Sequence, residues 1–560
     1  MMNRRLFALY SLGFAAMTTL QAQTSLLLER QKVSLSPSET RFNSSFDDMD
    51  TRRLSQLYSN PVYCEWVNTA DSLMERSRYR SGVYTGYTNG KEKGDFLPYE
   101  GNGYNDYRIG ATGEYALRFY GTLYGSAQYS RGKHKNIGWN AMRYPELYTP
   151  FISTDSIGGD FLYEDYLIKG GYGFTLGKWK LGVNGSFHGE QAHRKTDPRA
   201  LNNTTWLNIG VGLSRMWGGH LFMAQGQFGR NKQHMQLRYW RPGEQDRFFV
   251  CYGFGLYDVH QSGVSFGYSR MYYIKEGEAR FTYQSPLDRP FRVYASLGYE
   301  YDRMKTEETD IIDLYYSKTN TFLPTLQLDW QPSRSWDFSL CVDGRLDFRK
   351  GFENIFERYQ SDVNNNIYDY RLIDTRQHYF HDKANLLGQL RVRYHINAHH
   401  LVGLVGGVSS YYRKEKYDLD DYEIKNVTLF PHGRFDYLMH IKNNEFTFSC
   451  LYGKQLNIDD SYQVDLVNKS IEHLDFQHAF APYAYYSSTF SSLQLSTSYV
   501  YHFKRCALGA NLKFMYTKGE RDKSAVFYDK VGFESSAPMI STTPDQHNET
   551  WGSSSIFFVF

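Results

Sequence analysis

The chain has 560 residues and carries 63 Lys and Arg against 60 Asp and Glu, a balance that leaves no electrostatic footprint for nucleic acid. Aromatic residues make up 17% of it (49 Tyr, 38 Phe, 9 Trp) beside 47 Gly, and no stretch beyond the N-terminal leader reaches the ~18 consecutive apolar residues of a spanning helix. A mean hydropathy of −0.58 does not exclude a membrane, because a spanning strand turns only alternate residues toward lipid.

The N-terminus reads as a secretory signal peptide, residues 1–22. Arg4-Arg5 is its basic region, Leu6 to Leu20 its apolar region and Leu20-Gln21-Ala22 its cleavage site, with Gln23 as the mature start. No Cys stands at the start to take a lipid anchor. Residues 23–80 form a periplasmic or plug-like extension. Thr24 to Asp50 is polar and irregular. Beyond it the spacing turns helical, first at Leu54, Leu57 and Tyr58, then at Trp66, Val67, Leu73 and Met74, with Asn60-Pro61 breaking the two segments.

From Ser81 the period changes to two, which puts successive side chains on opposite faces of a strand. Strands are predicted at Ser81–Asn89, Tyr104–Phe119, Leu123–Gly132, Phe161–Leu176, Trp179–Gly189, Asn203–Met216 and His220–Arg230. They continue at Phe291–Arg303, Thr321–Trp330, Trp336–Phe348, Ala384–Ile396, Leu401–Arg413, Lys425–His440, Glu445–Lys454, Ala484–Phe503, Cys506–Thr517 and Thr550–Phe560. Phe248 to Ser285 reads as one strand or as three. Tight turns such as Gly177-Lys178, Trp217-Gly218-Gly219 and Lys504-Arg505 alternate with long polar loops such as Lys133–Asp160, Arg349–Lys383 and Lys518–Glu549. These features predict an all-β fold, a transmembrane antiparallel β-barrel of about 18 strands (16 to 20) over residues 81–560. Short turns would face the periplasm with both termini, and long loops the exterior.

The two faces of the strands differ in chemistry. Trp336, Phe338, Leu340, Val342, Leu346 and Phe348 oppose Asp337, Cys341, Asp343, Arg345 and Asp347. A charge facing mid-bilayer lipid costs about 2–4 kcal/mol. Arg292, Glu300, Asp337, Asp343, Arg345, Asp347, Arg391 and Arg393 are therefore expected to line the lumen, which is either a wet channel or a salt-bridged interior. The chain ends Ile556-Phe557-Phe558-Val559-Phe560, and Phe558 and Phe560 are expected to serve as the C-terminal assembly signal that the barrel-assembly machinery reads.

Residues that could carry chemistry are few. Ser361 to Asp369 places oxygens at alternate positions like the start of a calcium loop, but lacks the Gly and Glu of one. His378, His381 and Asp382, or His399-His400, have metal-ligand side chains at unspecific spacing. Cys64, Cys251, Cys341, Cys450 and Cys506 are scattered without a CxxC pair, Cys341, Cys450 and Cys506 within strand patterns. No nucleophile–base cluster is legible, so no enzyme, no catalytic or metal residue and no cofactor is expected.

The leader ending Leu20-Gln21-Ala22-Gln23, the Tyr-rich strands and the terminal Phe560 resemble outer-membrane barrels of Bacteroidota. In particular they resemble an uncharacterised family with a short N-terminal segment before a large barrel. The resemblance implies the fold and a Gram-negative outer membrane, with the bilayer and lipopolysaccharide as partners. Residues 23–80 are too short for the plug domain of a TonB-dependent receptor. The expected function is a non-TonB-gated pore or an accessory barrel of a surface nutrient-uptake system with a lipoprotein or transporter partner. The alternative is a surface structural or adhesion barrel with ligand-binding loops.

Overall fold

The computed structural model describes residues 49–69, 78–93, 96–117, 120–155, 157–238, 240, 247–261, 268–308, 313–362, 367–419, 421–464, 476–519 and 548–560. The predicted signal peptide and the polar stretch to Asp48 lie outside the described residues. Two helices come first, α1 (Met49–Ser59) and α2 (Tyr63–Thr69). Then follow β1 (Arg78–Lys93), β2 (Gly103–Leu117), β3 (Gly121–Ile137), α3 (Pro145–Tyr148), β4 (Ser153–Thr154), β5 (Gly159–Leu176), β6 (Trp179–Arg194), β7 (Arg199–Trp217) and β8 (His220–Arg238). The middle of the chain forms β9 (Arg247–Gly253), β10 (Leu256–Gln261), β11 (Tyr268–Gln284), β12 (Phe291–Glu307), β13 (Tyr315–Trp330), β14 (Trp336–Asp362), β15 (Ile367–His395) and β16 (His400–Tyr417). The last elements are β17 (Tyr422–Ile441), β18 (Asn444–Gln463), α4 (Ala481–Ser487), β19 (Phe490–His502), β20 (Ala507–Gly519) and β21 (Asn548–Val559).

All strands except β4, β9 and β10 join one 18-stranded antiparallel sheet, each pairing with the next in sequence. The sheet closes where β1 meets β21, with Val83 opposite Phe558. Ser81 and Phe560 seal the seam by exchanging backbone hydrogen bonds of 3.0 and 2.9 Å. A closed sheet has no open edge, so every backbone group in lipid can be paired. The fold is a β-barrel of the outer-membrane type. Among the described residues no helix is long and apolar enough to cross a membrane.

Alternation decides which face meets lipid. On β7, Leu207, Ile209, Val211 and Leu213 are exposed outward, while Thr204 and Ser214 are buried inward. Exposed Tyr120, Trp179, Trp217, Phe291, Trp330 and Trp336 lie near the strand ends that carry the short turns, where ring and polar edge suit the lipid–water boundary. The β7–β8 turn is Gly218-Gly219, both at positive φ (58° and 84°), a conformation that only Gly adopts without cost.

Three expectations change and one open reading is resolved. Phe248 to Ser285 contains one barrel strand, β11, while β9 and β10 leave the wall and form a three-stranded sheet with β4. The ambiguity arose because Phe248-Phe249-Val250 alternates with nothing: it is fully buried inside the mouth, not half-facing lipid. Arg349–Lys383, expected as a loop, is the continuation of β14 and β15 into a long ribbon paired as far as Asp362 and Ile367. Residues 357–361 and 367–376 of it face solvent on both sides, so no apolar face betrays them. Ala484–Phe503 is not one strand: α4 precedes β19, and Pro482 sits in its first turn, where a missing N–H costs nothing. Cys506 lies in the β19–β20 turn and not in a strand.

Candidate functional site: a lumen occupied at both ends

Helices α1 and α2 lie inside the barrel near its short-turn end. Helix α1 has two faces. Leu54, Leu57 and Tyr58, at helical spacing, pack on Leu221, Met223 and Tyr294 of the wall. Asp50, Arg53 and Gln56 turn to β13–β15. Arg53 donates to Asp329 at 2.8 Å, and Gln56 to Thr325 at 2.9 Å and Asp343 at 3.4 Å. Asp50 pairs with Arg391 at 3.1 Å and also with Arg393. Burial would raise the Asp50 carboxyl pKa, but Arg391, Arg393 and Arg53 outweigh it and hold the group well below its ordinary value. On the opposite wall Trp66 donates to Ser214 at 2.6 Å, and Glu65 accepts from Thr122 and Thr175 at 2.8 and 2.7 Å.

The turn between the helices has a made seat. Pro61 follows the end of α1, and the Asn60 side chain closes the turn by accepting from the Val62 N–H at 3.1 Å. Beneath them Gly173, Gly182 and Gly212 stand in one cross-strand row on β5, β6 and β7. A Cβ on Gly212 would lie 2.3 Å from Asn60 Oδ1, and one on Gly182 would lie 2.8 Å from the Pro61 carbonyl oxygen. The glycines are therefore a groove shaped to the turn. A cavity of ≈ 140 Å³ remains beside the hairpin, lined by Tyr58, Cys64, Glu114, Tyr124, Lys169 and Asn184 among others.

The other end is filled by loops that fold inward. The β3–β5 connection carries α3 and β4 into the mouth, where Tyr148, Phe151, Phe248 and Phe249 are buried with Phe161, Met235 and Tyr272 of the wall. Full burial of such side chains contributes roughly 1.5–3 kcal/mol each, so this lid is a small core in its own right. Polar clamps surround it. Arg143 and Tyr144 donate to Glu190 at 2.8 and 2.5 Å, Tyr148 to Asn231 at 2.9 Å, and Arg194 to Asp155 at 2.6 Å. Arg349 donates to the carbonyl oxygens of Glu146 and Thr149, and Lys383 to the Glu146 carboxylate at 2.7 Å. Burial raises the Glu146 pKa and Lys383 lowers it further, so the net shift is downward. Helix α4 closes another quadrant, its Ser487 accepting from Asn426 at 2.7 Å and its Tyr486 stacking on Tyr411.

The predicted lumen residues divide by contact. Arg391, Arg393 and Asp343 hold α1. Arg345 bridges Glu300 at 3.3 Å and Asp347 at 3.0 Å on the wall between plug and lid. Asp337 pairs with His395 at 2.8 Å, and Arg292 stands opposite Asp329 in the β12–β13 register. The rings of Phe558 and the exposed Phe560 meet at a tilt, their centroids 5.2 Å apart, beside the seam. His378 and His381 sit on β15, not in a loop, and His381 is buried against Tyr379. Sequence reading did not single out Asp165, His188 and Glu190, whose ligand atoms lie within 4.8 Å of one another. Inward alternation on β5 and β6 was the available signal, and only the strand register brings the three together.

A family model described as a family of unknown function (DUF6850) matches residues 72–553. The chain belongs to this family. No curated protein matches it. Similar solved structures include the FrpB iron transporter from Neisseria meningitidis, at TM-score 0.38 and 8% identity over 85% of this chain and 81% of that one. Others are the siderophore receptor PirA from Acinetobacter baumannii (0.36, 9%, 86% and 80%) and the copper transporter OprC (0.36, 10%, 85% and 80%). At these values the likeness carries neither cargo nor mechanism to this member of the family.

Proposed function

We propose that the protein is a gated transport barrel of a Gram-negative outer membrane, closed in this state, with short turns and both termini on the periplasmic side. The observation that supports this reading is the polar seat of α1 and α2. Beside its small apolar face, α1 is held by Asp50–Arg391, Asp50–Arg393 and Arg53–Asp329, and water entering as the helix leaves can solvate those charged groups, whereas a wholly apolar plug would expose its core. The Tyr-rich strands favour a Bacteroidota host. No catalytic role is proposed.

A second reading has its own support. Among the described residues the β14–β15 ribbon beyond Asn354 has no neighbouring strand, and it exposes Tyr359, Tyr368, Tyr370, Leu372 and Ile373. Isolated two-stranded ribbons are marginal in water, so such a projection suits a surface barrel that docks a partner. Planar-bilayer recording separates the two readings. A gated barrel is near silent as wild type and shows discrete openings when Asp50→Ala is combined with deletion of the lid segment 140–155. A folded barrel carrying both changes that stays silent sinks the transport reading and leaves the surface barrel.

A further inference from the structure

We infer that Asp165, His188 and Glu190 form a site for a divalent first-row transition metal, and that the metal competes with the lid for Glu190. The inference goes beyond transport, because it concerns binding to the closed barrel and holds whether or not the barrel conducts. Asp165 and Glu190 face each other directly across β5 and β6, on the inward face, both buried. Like charges directly opposed on a sheet repel, and burial deepens the cost. The lid supplies one compensating charge, the Arg143 guanidinium on Glu190. His188 Nε2 stands 2.5 Å from Asp165 Oδ1. One imidazole and two carboxylates are the donor set of Zn²⁺, Co²⁺ or Fe²⁺, and three protein ligands leave a further position open to the lumen.

The surroundings orient the ligands. Ser130 donates to the second oxygen of Asp165 at 3.2 Å, leaving Oδ1 toward His188. Arg143 lies over the Tyr163 ring at 4.3 Å, so its head is placed against Glu190 by stacking as well as by charge. Among the described residues this is the one cluster of three such ligand atoms. A bound metal replaces the Arg143 and Tyr144 donors on Glu190, and it thereby loosens the clamp at the start of α3. Binding and lid closure therefore oppose each other.

The test is calorimetric titration of the folded full-length barrel in detergent with Zn²⁺ alone, with Co²⁺ absorption reporting coordination. Heat-modifiable gel migration verifies folding of each variant. One equivalent should bind, weakened at least tenfold by His188→Ala and by Asp165→Asn, and unchanged by the double variant His399→Ala, His400→Ala. Arg143→Gln removes the charged one of the two competing donors and should tighten binding by about 5–150-fold, the usual span of a coupling between two ligands of one group. Equal affinity in wild type and His188→Ala means adventitious binding on other histidines and overturns the site. Arg143→Gln binding no more tightly than wild type overturns the competition.

Discussion

Replacing Asp50 by Ala tests the anchoring of the plug most directly. Asp50 reaches both Arg391 and Arg393 on β15, and its own helix adds Arg53 at 3.3 Å. All are largely buried; the Arg391 side chain is 4% exposed and that of Arg393 12%. Removing one partner of a buried ion pair costs about 3–5 kcal/mol, because the charges left behind lose both water and counter-charge. At 1.36 kcal/mol per tenfold change, the docked population of α1 should fall roughly 160- to 5000-fold relative to the undocked one. The wall does not depend on α1 for its hydrogen bonds, so the barrel should stay folded. Hydrogen exchange followed by mass spectrometry reads both: amides of residues 49–69 should lose protection by that factor while β13–β15 keep theirs. A charge swap, Asp50→Arg with Arg391→Asp, should recover part of the loss as a coupling energy. Unchanged protection of α1 in Asp50→Ala would refute ionic anchoring and leave the Leu54–Leu57–Tyr58 face as the true hold.

Gly212→Val should also expel the hairpin. Its Cβ alone meets Asn60 Oδ1 at 2.3 Å and Pro61 Cγ at 2.9 Å, so trypsin should cleave faster after Arg52 and Arg53 in an otherwise folded barrel; wild-type cleavage would count against the glycine groove. For pH the sign follows from the depressed carboxyls. Asp50 and Glu146 ionise more readily folded than unfolded, so their contribution is complete above their ordinary values of 3.8 and 4.5 and is lost as pH falls through the lower folded values. Exchange protection of plug and lid should thus be level from pH 8 to about 5 and drop only in stronger acid; loss near pH 6 would point to histidine instead. Deleting Phe560 removes the last pair of backbone bonds to Ser81 and a lipid-facing ring, and should slow assembly as read by heat-modifiable migration. Normal insertion of that variant would show that the seam closes without it.

Much of the barrel was legible because lipid imposes a strict rule. Every second residue of Trp336–Phe348 or Phe291–Tyr301 had to be apolar, and the opposing Asp337, Asp343, Arg345 and Glu300 had to turn inward. Where that rule stops, reading failed. Residues 357–361 and 367–376 of the ribbon meet water on both faces, and Phe248-Phe249-Val250 meets protein on both, so neither shows a period of two. The helical spacing at Leu54, Leu57 and Tyr58 and the Asn60-Pro61 break were visible, but they left a periplasmic and a plug-like position equally open.

The sequence by itself determined the solvent each stretch must face: lipid for one side of the strands, water or protein for the other. That is a local property, written in alternation. Only the tertiary structure decided what fills the lumen. Asp50 meets Arg393 across 343 positions, Gly173, Gly182 and Gly212 form a row only once three strands pair, and Asp165 faces Glu190 only in the β5–β6 register. Such contacts depend on how the sheet closes, and no local pattern of polar residues records which inward side chain will stand beside which.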